Sequence, residues 1–352
     1  MINDLTDRLG IIADAASERF FTFVHSPHGL AHVDPTATDA TVDRAITLGV
    51  NFLSWHQRRD GAWVDFLLHP GASNEWITAH VAFALERVPE ARQMTRRAAE
   101  YLAEVGRSDG GWGYCRRVAN DCDSTAQALM VLRNHQIQPP RFVIDWLLAA
   151  QAPSGGFPTY PPPRGGEPAN GWQREHADVT LMVVDALSRL DIEPAIQHQA
   201  LRWLEGTTTE SLIRSYWWSS PAYAAWAQAR TGFRADDAGD KAARLILNHY
   251  GVPALPMLLT AATRSGQLTR GLTKSALTTL VAQQWKDGSW PCQQCLRVTD
   301  ASHNDAGNLD GPVFAGARRI FSTAHAVAAL AACREPRQVF KASITAGPTA
   351  TA

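Results

Sequence analysis

Apolar residues recur through the body of the chain at the three-to-four spacing of helices, and successive helical segments alternate in character. The stretch ARQMTRRAAEYLAEV sets a charged stripe opposite an apolar one, as a helix facing water does. TAQALMVL and STAHAVAALAA are apolar nearly all round, as a buried helix is. Breakers and turn residues divide the chain into paired helices. The pairs are 39–57 with 75–87, 90–105 with 123–134, 140–151 with 178–190, and 194–205 with about 217–231. They continue with 238–249 and 254–264, where Pro253 and Pro256 blur the start, and end with 272–285 and 320–333. Strand signals are scarce. Outer and inner helices in alternation predict an all-α fold, an α6/α6 toroid over residues 39–335. A lead-in segment, 1–38, precedes it and a flexible tail, 336–352, follows.

A repeated turn supports this division. It reads Leu53-Gln57-Asp60-Gly61-Trp63, Leu102-Asp109-Gly110-Trp112, Leu147-Gln151-Ser154-Gly155-Phe157 and Leu280-Gln284-Asp287-Gly288-Trp290, with Gly106 in the Gln place of the second copy. Self-similarity at a period of roughly 40–50 residues marks a repeat architecture. Each turn ends an outer helix, because Gly is favoured where the backbone turns left-handed. The aromatic after it is expected to pack between adjacent hairpins. Every inner helix starts just beyond a turn, so the inner N-termini converge on one mouth of the barrel with their positive dipole ends. The long loops 158–177 and 291–318 open on the same mouth, and loops of that length are uncommon unless functional or mobile.

Composition narrows the function classes. Lys and Arg number 33 against 34 Asp and Glu, so no basic field suited to nucleic acid exists. Hydrophobic content of 45% and charged content of 19% fit a globular protein with a large core. No apolar run approaches a membrane span, and MINDLTDRLG lacks the basic and apolar regions of a signal peptide. With five cysteines in no disulfide framework, a cytoplasmic location is expected. Peripheral contact with a membrane surface stays open.

The inner helices also align on a threonine: Thr78, Thr125, Thr180 and Thr323, with Ser219 in the fourth pair. Two residues earlier stand Trp76, Asp123, Asp178, Trp217 and Phe321. Four residues earlier stand Asn74, Asp121, His176, Ser215 and Arg319. One layer of the barrel would hold two carboxylates among three large rings. Asp at a helix start is often only an N-cap, and Asp121 suits that role. An acid between aromatic faces also suits chemistry that makes a carbocation: the carboxylic acid donates a proton, and each ring face stabilises the cation by roughly 0.5–2 kcal/mol. Trp218 is a further candidate for the cavity wall. Arg116, Arg117, Arg318 and Arg319 fall near the mouth and are candidates for holding a diphosphate or carboxylate. His80 and His325 follow Thr-Ala identically in two repeats, which predicts a shared packing role.

The Gln-x5-Trp turn resembles the QW repeat of squalene–hopene cyclases and related class II terpene cyclases. Residues 110–129, GGWGYCRRVANDCDSTAQAL, look like the part of those enzymes that runs into an Asp-x-Asp-Asp-Thr-Ala acid motif. The resemblance implies that Asp123 is the proton donor and that Asp121 tunes or orients it. It implies an apolar, isoprenoid-derived substrate, wall residues Trp76, Trp217, Trp218 and Phe321, and cyclisation or isomerisation of that substrate. Ser124 departs from the pattern where the third acid belongs. No cofactor is implied, and Mg2+ is expected only with a diphosphate substrate.

Other readings use the same residues. Prenyltransferase β subunits share the toroid and hold zinc, but here Cys122 directly follows Asp121 and Ser322 stands where the His belongs. Cys292-x-x-Cys295 is a lone pair, with His303 and Asp305 nearby, so metal is not expected. A glycosidase toroid would pair Asp123 with Asp178. A non-catalytic binding toroid would tolerate Ser124.

Overall fold

The structure, a computed structural model, describes residues 37–163, 166–248, 254–292, 294–303 and 310–334. The lead-in up to residue 36, the tail from residue 335, Pro253 and Asp305 lie outside the described residues.

Among the described residues the helices fall into outer and inner sets. The outer helices are α1 (Asp39–His56), α3 (Arg92–Val105), α5 (Arg141–Ala149), α7 (Pro194–Thr207), α9 (Ala235–Asn248) and α11 (Arg270–Ala282). The inner ones are α2 (Glu75–Ala84), α4 (Cys122–Asn134), α6 (Ala177–Leu190), α8 (Pro221–Thr231), α10 (Leu255–Arg264) and α12 (Ile320–Arg334). Each inner helix packs on the next, and α12 packs back on α2, which closes the ring. Two short antiparallel hairpins sit outside this pattern: β1 (Asp65–Leu68) with β2 (Gly71–Ser73), and β3 (Gln294–Arg297) with β4 (Val313–Ala315).

Burial follows the residue pattern. All of α2 is buried, and so is α4 from Ser124 to Leu132. In α3 only one stripe is buried, through Met94, Ala98, Tyr101 and Leu102. The inner threonines form one layer with a shared task. Each hydroxyl accepts a hydrogen bond from the backbone N–H of the turn aromatic: Thr78 from Trp63 (2.9 Å), Thr125 from Trp112 (3.1 Å), Thr180 from Phe157 (2.8 Å) and Thr323 from Trp290 (3.1 Å). The threonine layer thus fixes each turn onto the start of the inner helix that follows it.

The glutamines join neighbouring hairpins. Gln57 donates to the carbonyls of Gly61 and Met94, each at 2.8 Å, and so ties the first turn to α3. Gln151 ties the third turn to Ile196 in α7 (3.0 Å). Gln284 donates to Ala45 in α1 (2.9 Å), so the last turn is sewn to the first helix of the chain. At this closing seam Gly288 has φ +90°, and a Cβ there would stand 2.3 Å from the Leu48 carbonyl oxygen. Only glycine allows both the left-handed turn and the close approach.

The fourth inner helix departs from the sequence reading, which began it near residue 217. Pro221 occupies the first turn of α8 and Ser220 is its N-cap. Proline lacks the N–H an interior position needs, so the helix starts there. Residues 217–219 instead run extended against β3: the Arg297 N–H donates to Trp217 O (2.7 Å) and the Ser219 N–H to Cys295 O (3.0 Å). Ser219 therefore does not take the threonine role, and Trp217 and Trp218 reach the barrel from a loop.

Candidate active site

A cavity of about 500 Å³ opens at the mouth where the inner helices begin. Asp121 and Asp123 enter it from the start of α4, Asp178 from α6 and Trp76 from α2. Trp217 and Trp218 come from the extended segment before α8. The sequence reading did not pick out Tyr114, Tyr160, Trp172, Tyr223, Leu296 or Phe314, which also line it. These lie on loops, on β3 and β4, and in the first turn of α8, so no repeat register marks them.

The two long loops are stitched together over the mouth. The Gly171 N–H donates to Ala301 O (2.6 Å), and the Trp172 indole N–H donates to Thr299 O (2.8 Å). Beneath them the rings pack on one another. Trp218 lies flat on Tyr223 with centroids 4.1 Å apart, and Trp76 stands 5.9 Å from Trp218.

The three carboxyl groups have different surroundings. Asp121 caps α4, accepting from the Ser124 N–H (2.6 Å) and from the Ser124 hydroxyl (2.8 Å). The residue that departs from the acid motif thus holds the neighbouring acid. Asp178 is buried and accepts from the Trp217 N–H (3.1 Å), so it positions one cavity wall. Asp123 keeps surface open to the cavity, and its Oδ2 accepts from the Gln127 amide (2.9 Å).

Burial is the main reason all three carboxyls are harder to ionise than an ordinary carboxylate. Asp123 is pushed up to about 8, first by desolvation and then by the charge of Asp121, with Gln127 pulling the other way and Asp178 adding to the rise. Burial likewise raises Asp121, against the hydrogen bonds of Ser124, and raises Asp178 to about 6. Asp123 therefore holds a proton near neutral pH, as a general acid must.

This has a stability consequence. A carboxyl whose folded pKa exceeds its unfolded value binds more protons in the native state, so stability falls as pH rises between the two. For Asp123 that window runs from the ordinary aspartate value of 3.8 to about 8. Asp123→Asn removes the ionisation, so the variant's Tm advantage over the parent is expected to be smallest below about pH 4 and to grow steadily up to about pH 8. Thermal melts across that range check the sign. A gap that does not grow with pH would mean Asp123 ionises freely in the fold.

Several residues expected at the site lie elsewhere. Arg116 is exposed and donates to Val105 O at the end of α3 (3.0 Å). Arg319 pairs with Asp287 (3.0 Å), with its guanidinium 4.6 Å from the Trp285 ring centroid and 5.4 Å from that of Phe52, so it staples the last turn rather than facing the mouth. Asp65, from β1, takes over the N-terminus of α12 and accepts from the Arg318 and Phe321 N–H groups (2.7 and 3.0 Å). Phe321 is buried behind the cavity wall, stacked at 4.9 Å on His80 and at 5.4 Å on Trp218. His176 is an anchor behind the wall. It stacks on Tyr216 at 3.7 Å, and its Nε2–H donates to Gly171 O (3.0 Å). Its Nδ1 accepts from the Thr159 hydroxyl (2.9 Å), which in turn accepts from the Trp217 indole N–H (2.7 Å). Burial lowers the His176 pKa to about 3, so the ring is neutral.

Cys292 donates to the Gly316 carbonyl and Cys295 is buried, and both thiols are pushed well up by burial. His303 accepts at its carbonyl from the Tyr216 hydroxyl (2.9 Å).

Comparison with known proteins agrees with this architecture. A crystal structure of a protein from Actinoplanes superposes with a TM-score of 0.72 at 23% identity, covering 83% of this chain and 99% of that one. The type II terpene cyclase MstE from Scytonema, in complex with its substrate geranylgeranyl dihydroxybenzoate, gives 0.71 at 20% identity, covering 84% and 97%. The fold is that of the type II terpene cyclases. This terpene cyclase-like toroid is also similar to part of ent-copalyl diphosphate synthase from Streptomyces platensis, at a TM-score of 0.52 and 18% identity over 73% of this chain and 50% of that one. In sequence, 75 residues are 39% identical to drimenyl diphosphate synthase of Streptantibioticus cattleyicolor; they make up 21% of this chain but span only 14% of that relative. No family model matches.

Proposed function

We propose that this terpene cyclase-like toroid catalyses acid-initiated cyclisation or isomerisation of an apolar, isoprenoid-derived small molecule, with Asp123 as the proton donor. One observation carries the reading: a carboxyl group held protonated near neutral pH opens into a cavity walled by aromatic rings. In this reaction the Asp123 proton adds to an alkene carbon, leaving Asp123 as a carboxylate and a cation on the substrate. The faces of Trp76, Trp217 and Trp218 stabilise that charge through their quadrupoles, and the loops over the mouth keep water from capturing it early. An internal alkene then attacks the cation and closes a ring, and loss of a proton restores neutrality. Asp121 and Asp178 act through position: the first raises the affinity of Asp123 for its proton, the second holds Trp217.

The complexes of MstE with geranylgeranyl dihydroxybenzoate and with its product merosterolic acid A support the substrate class. Protonation needs no cofactor, and Mg2+ enters only for a diphosphate substrate. Cytoplasmic location belongs to the same proposal, supported by five free cysteines. Among the described residues no helix is long and apolar enough to cross a membrane.

A glycosidase would need Asp178 free to act on substrate, whereas it is engaged by the Trp217 backbone. The test is incubation with a panel of linear isoprenoid alcohols, acids, aryl conjugates and diphosphates in D2O. The expected product is cyclised and carries one carbon-bound deuterium from solvent. Turnover without deuterium incorporation would overturn acid initiation.

A further inference from the structure

Behind Asp123 a chain of buried polar groups runs into the barrel. Gln127, one helical turn beyond Asp123 on α4, donates from Nε2 to Asp123 Oδ2 (2.9 Å). The other end of the same amide, Oε1, meets His80 Nδ1 of α2 (2.8 Å), and His80 Nε2 meets His325 Nε2 of α12 (2.9 Å). Gln127 and His80 are fully buried and His325 nearly so. The chain ends at His325 Nδ1, which is buried and has no hydrogen-bond partner among the described residues. Their shared Thr-Ala-His context in two repeats predicts only a packing role for these histidines.

The chain can carry its protons in two directions, and its far end decides between them. In one, His325 donates from Nε2 to His80 Nε2, His80 donates from Nδ1 to Gln127 Oε1, and the Gln127 amide N–H donates to Asp123. The orphan at His325 Nδ1 is then a lone pair. In the reverse direction the Gln127 carbonyl faces Asp123, and the orphan is a buried N–H. A buried N–H without an acceptor is rarer and costlier than an unused acceptor. Both imidazoles are neutral in either case, since burial lowers His80 to about 3 and His325 well below its ordinary value, with Arg230 adding to both.

We infer that Gln127, His80 and His325 form a positioning relay that holds an amide N–H on Asp123 Oδ2, so that the acid carries its proton on Oδ1 and its carboxylate is stabilised once that proton has gone to substrate. The relay opposes the effect of burial. Desolvation and Asp121 keep the proton on Asp123 at rest, and the amide makes it easier to release. The reversed chain would set a carbonyl against the new carboxylate and resist the transfer. The charged and titratable groups around Asp123 are otherwise Asp121 and Asp178, which favour the protonated form, and Cys122 and Tyr223, whose own ionisation burial and the neighbouring acids oppose.

This inference rests on the proposed acid role of Asp123, and its tests separate the two. Nitrogen-15 NMR of the histidines needs no substrate: His80 is expected as the Nδ1–H tautomer and His325 as the Nε2–H tautomer. The opposite pair of tautomers would overturn the relay and leave the acid role standing. In turnover, Gln127→Leu removes the stronger of the two side-chain donors to Asp123, the other being Trp76, so the alkaline limb of the rate–pH profile should move up by about one pH unit and the plateau rate fall about tenfold. A plateau that falls with no movement of the limb would assign Gln127 to structure alone. His325→Gln, which is remote from the cavity, is expected to shift the limb in the same direction by less, and serves if Gln127→Leu does not fold. Inactivity of Asp123→Asn together with an unshifted limb in both variants would sink the relay while keeping the acid.

Discussion

Asp123→Asn is expected to abolish turnover of the true substrate while leaving the fold and ligand binding in place. Asn keeps the size of the side chain and an oxygen that can accept from Gln127, but it cannot release a proton to carbon. In the proposed reaction the donated proton creates the cation on which every later step depends, so no other residue compensates in part. A loss of about 10⁴-fold, the upper end of the usual 10²–10⁴-fold range for a general acid, is the expected scale. Asp178→Asn should be milder, because the acceptor for the Trp217 N–H survives as an amide oxygen. The two variants thus discriminate between reaction classes, since a glycosidase would be disabled equally by either. The measurement is product formation by each variant, alongside ligand binding by the quenching of tryptophan fluorescence. Near-parental turnover by Asp123→Asn would show that the acid role does not belong to this residue.

Trp290→Ala is expected to cost about 3–5 kcal/mol of folding stability, the usual range for deleting a buried large aromatic. Trp290 is fully buried, its indole N–H donates to Leu280 O (2.7 Å), and its backbone N–H is held by Thr323. Its ring also packs on Gly49 of α1, where a Cβ would come within 3.0 Å of it. The side chain therefore bridges the seam where the last hairpin meets the first. A domain of ordinary stability holds about 5–15 kcal/mol in all, so much of that reserve would go. Trp290→Phe keeps most of the apolar contact and loses the hydrogen bond, at a net cost nearer 1 kcal/mol plus the volume change. Urea unfolding of the three proteins gives the order. Lost activity with an unchanged unfolding midpoint in Trp290→Ala would instead place this ring against the substrate.

Much of this was legible in the chain because it is local. Helix character follows from spacing within a few residues, and each Gly-x-Trp turn follows from a backbone conformation that glycine adopts readily. Both survive in any tertiary context, so the alternation of outer and inner helices could be read directly. The cap of α4 was legible for the same reason: Asp121, Asp123 and Ser124 share one helix start, where capping and dipole act within a turn. The ring register failed where a local rule was overlooked, at Pro221, which delays α8 and frees Trp217 and Trp218 to join β3.

What the chain alone could not settle is how loops distant in sequence meet. Tyr160, Trp172 and Phe314 reach the cavity only because the two long loops bond to each other over the mouth. Arg116 and Arg319 were close to the mouth in sequence but turn toward the carbonyl and carboxylate partners that folding brings to them. His80, Gln127 and His325 lie on different inner helices and acquire a common purpose only when the ring closes. Periodicity and turn chemistry, being short-range, determined the toroid. Burial and the partners that come with it, being collective, decided which of its acids keeps a proton.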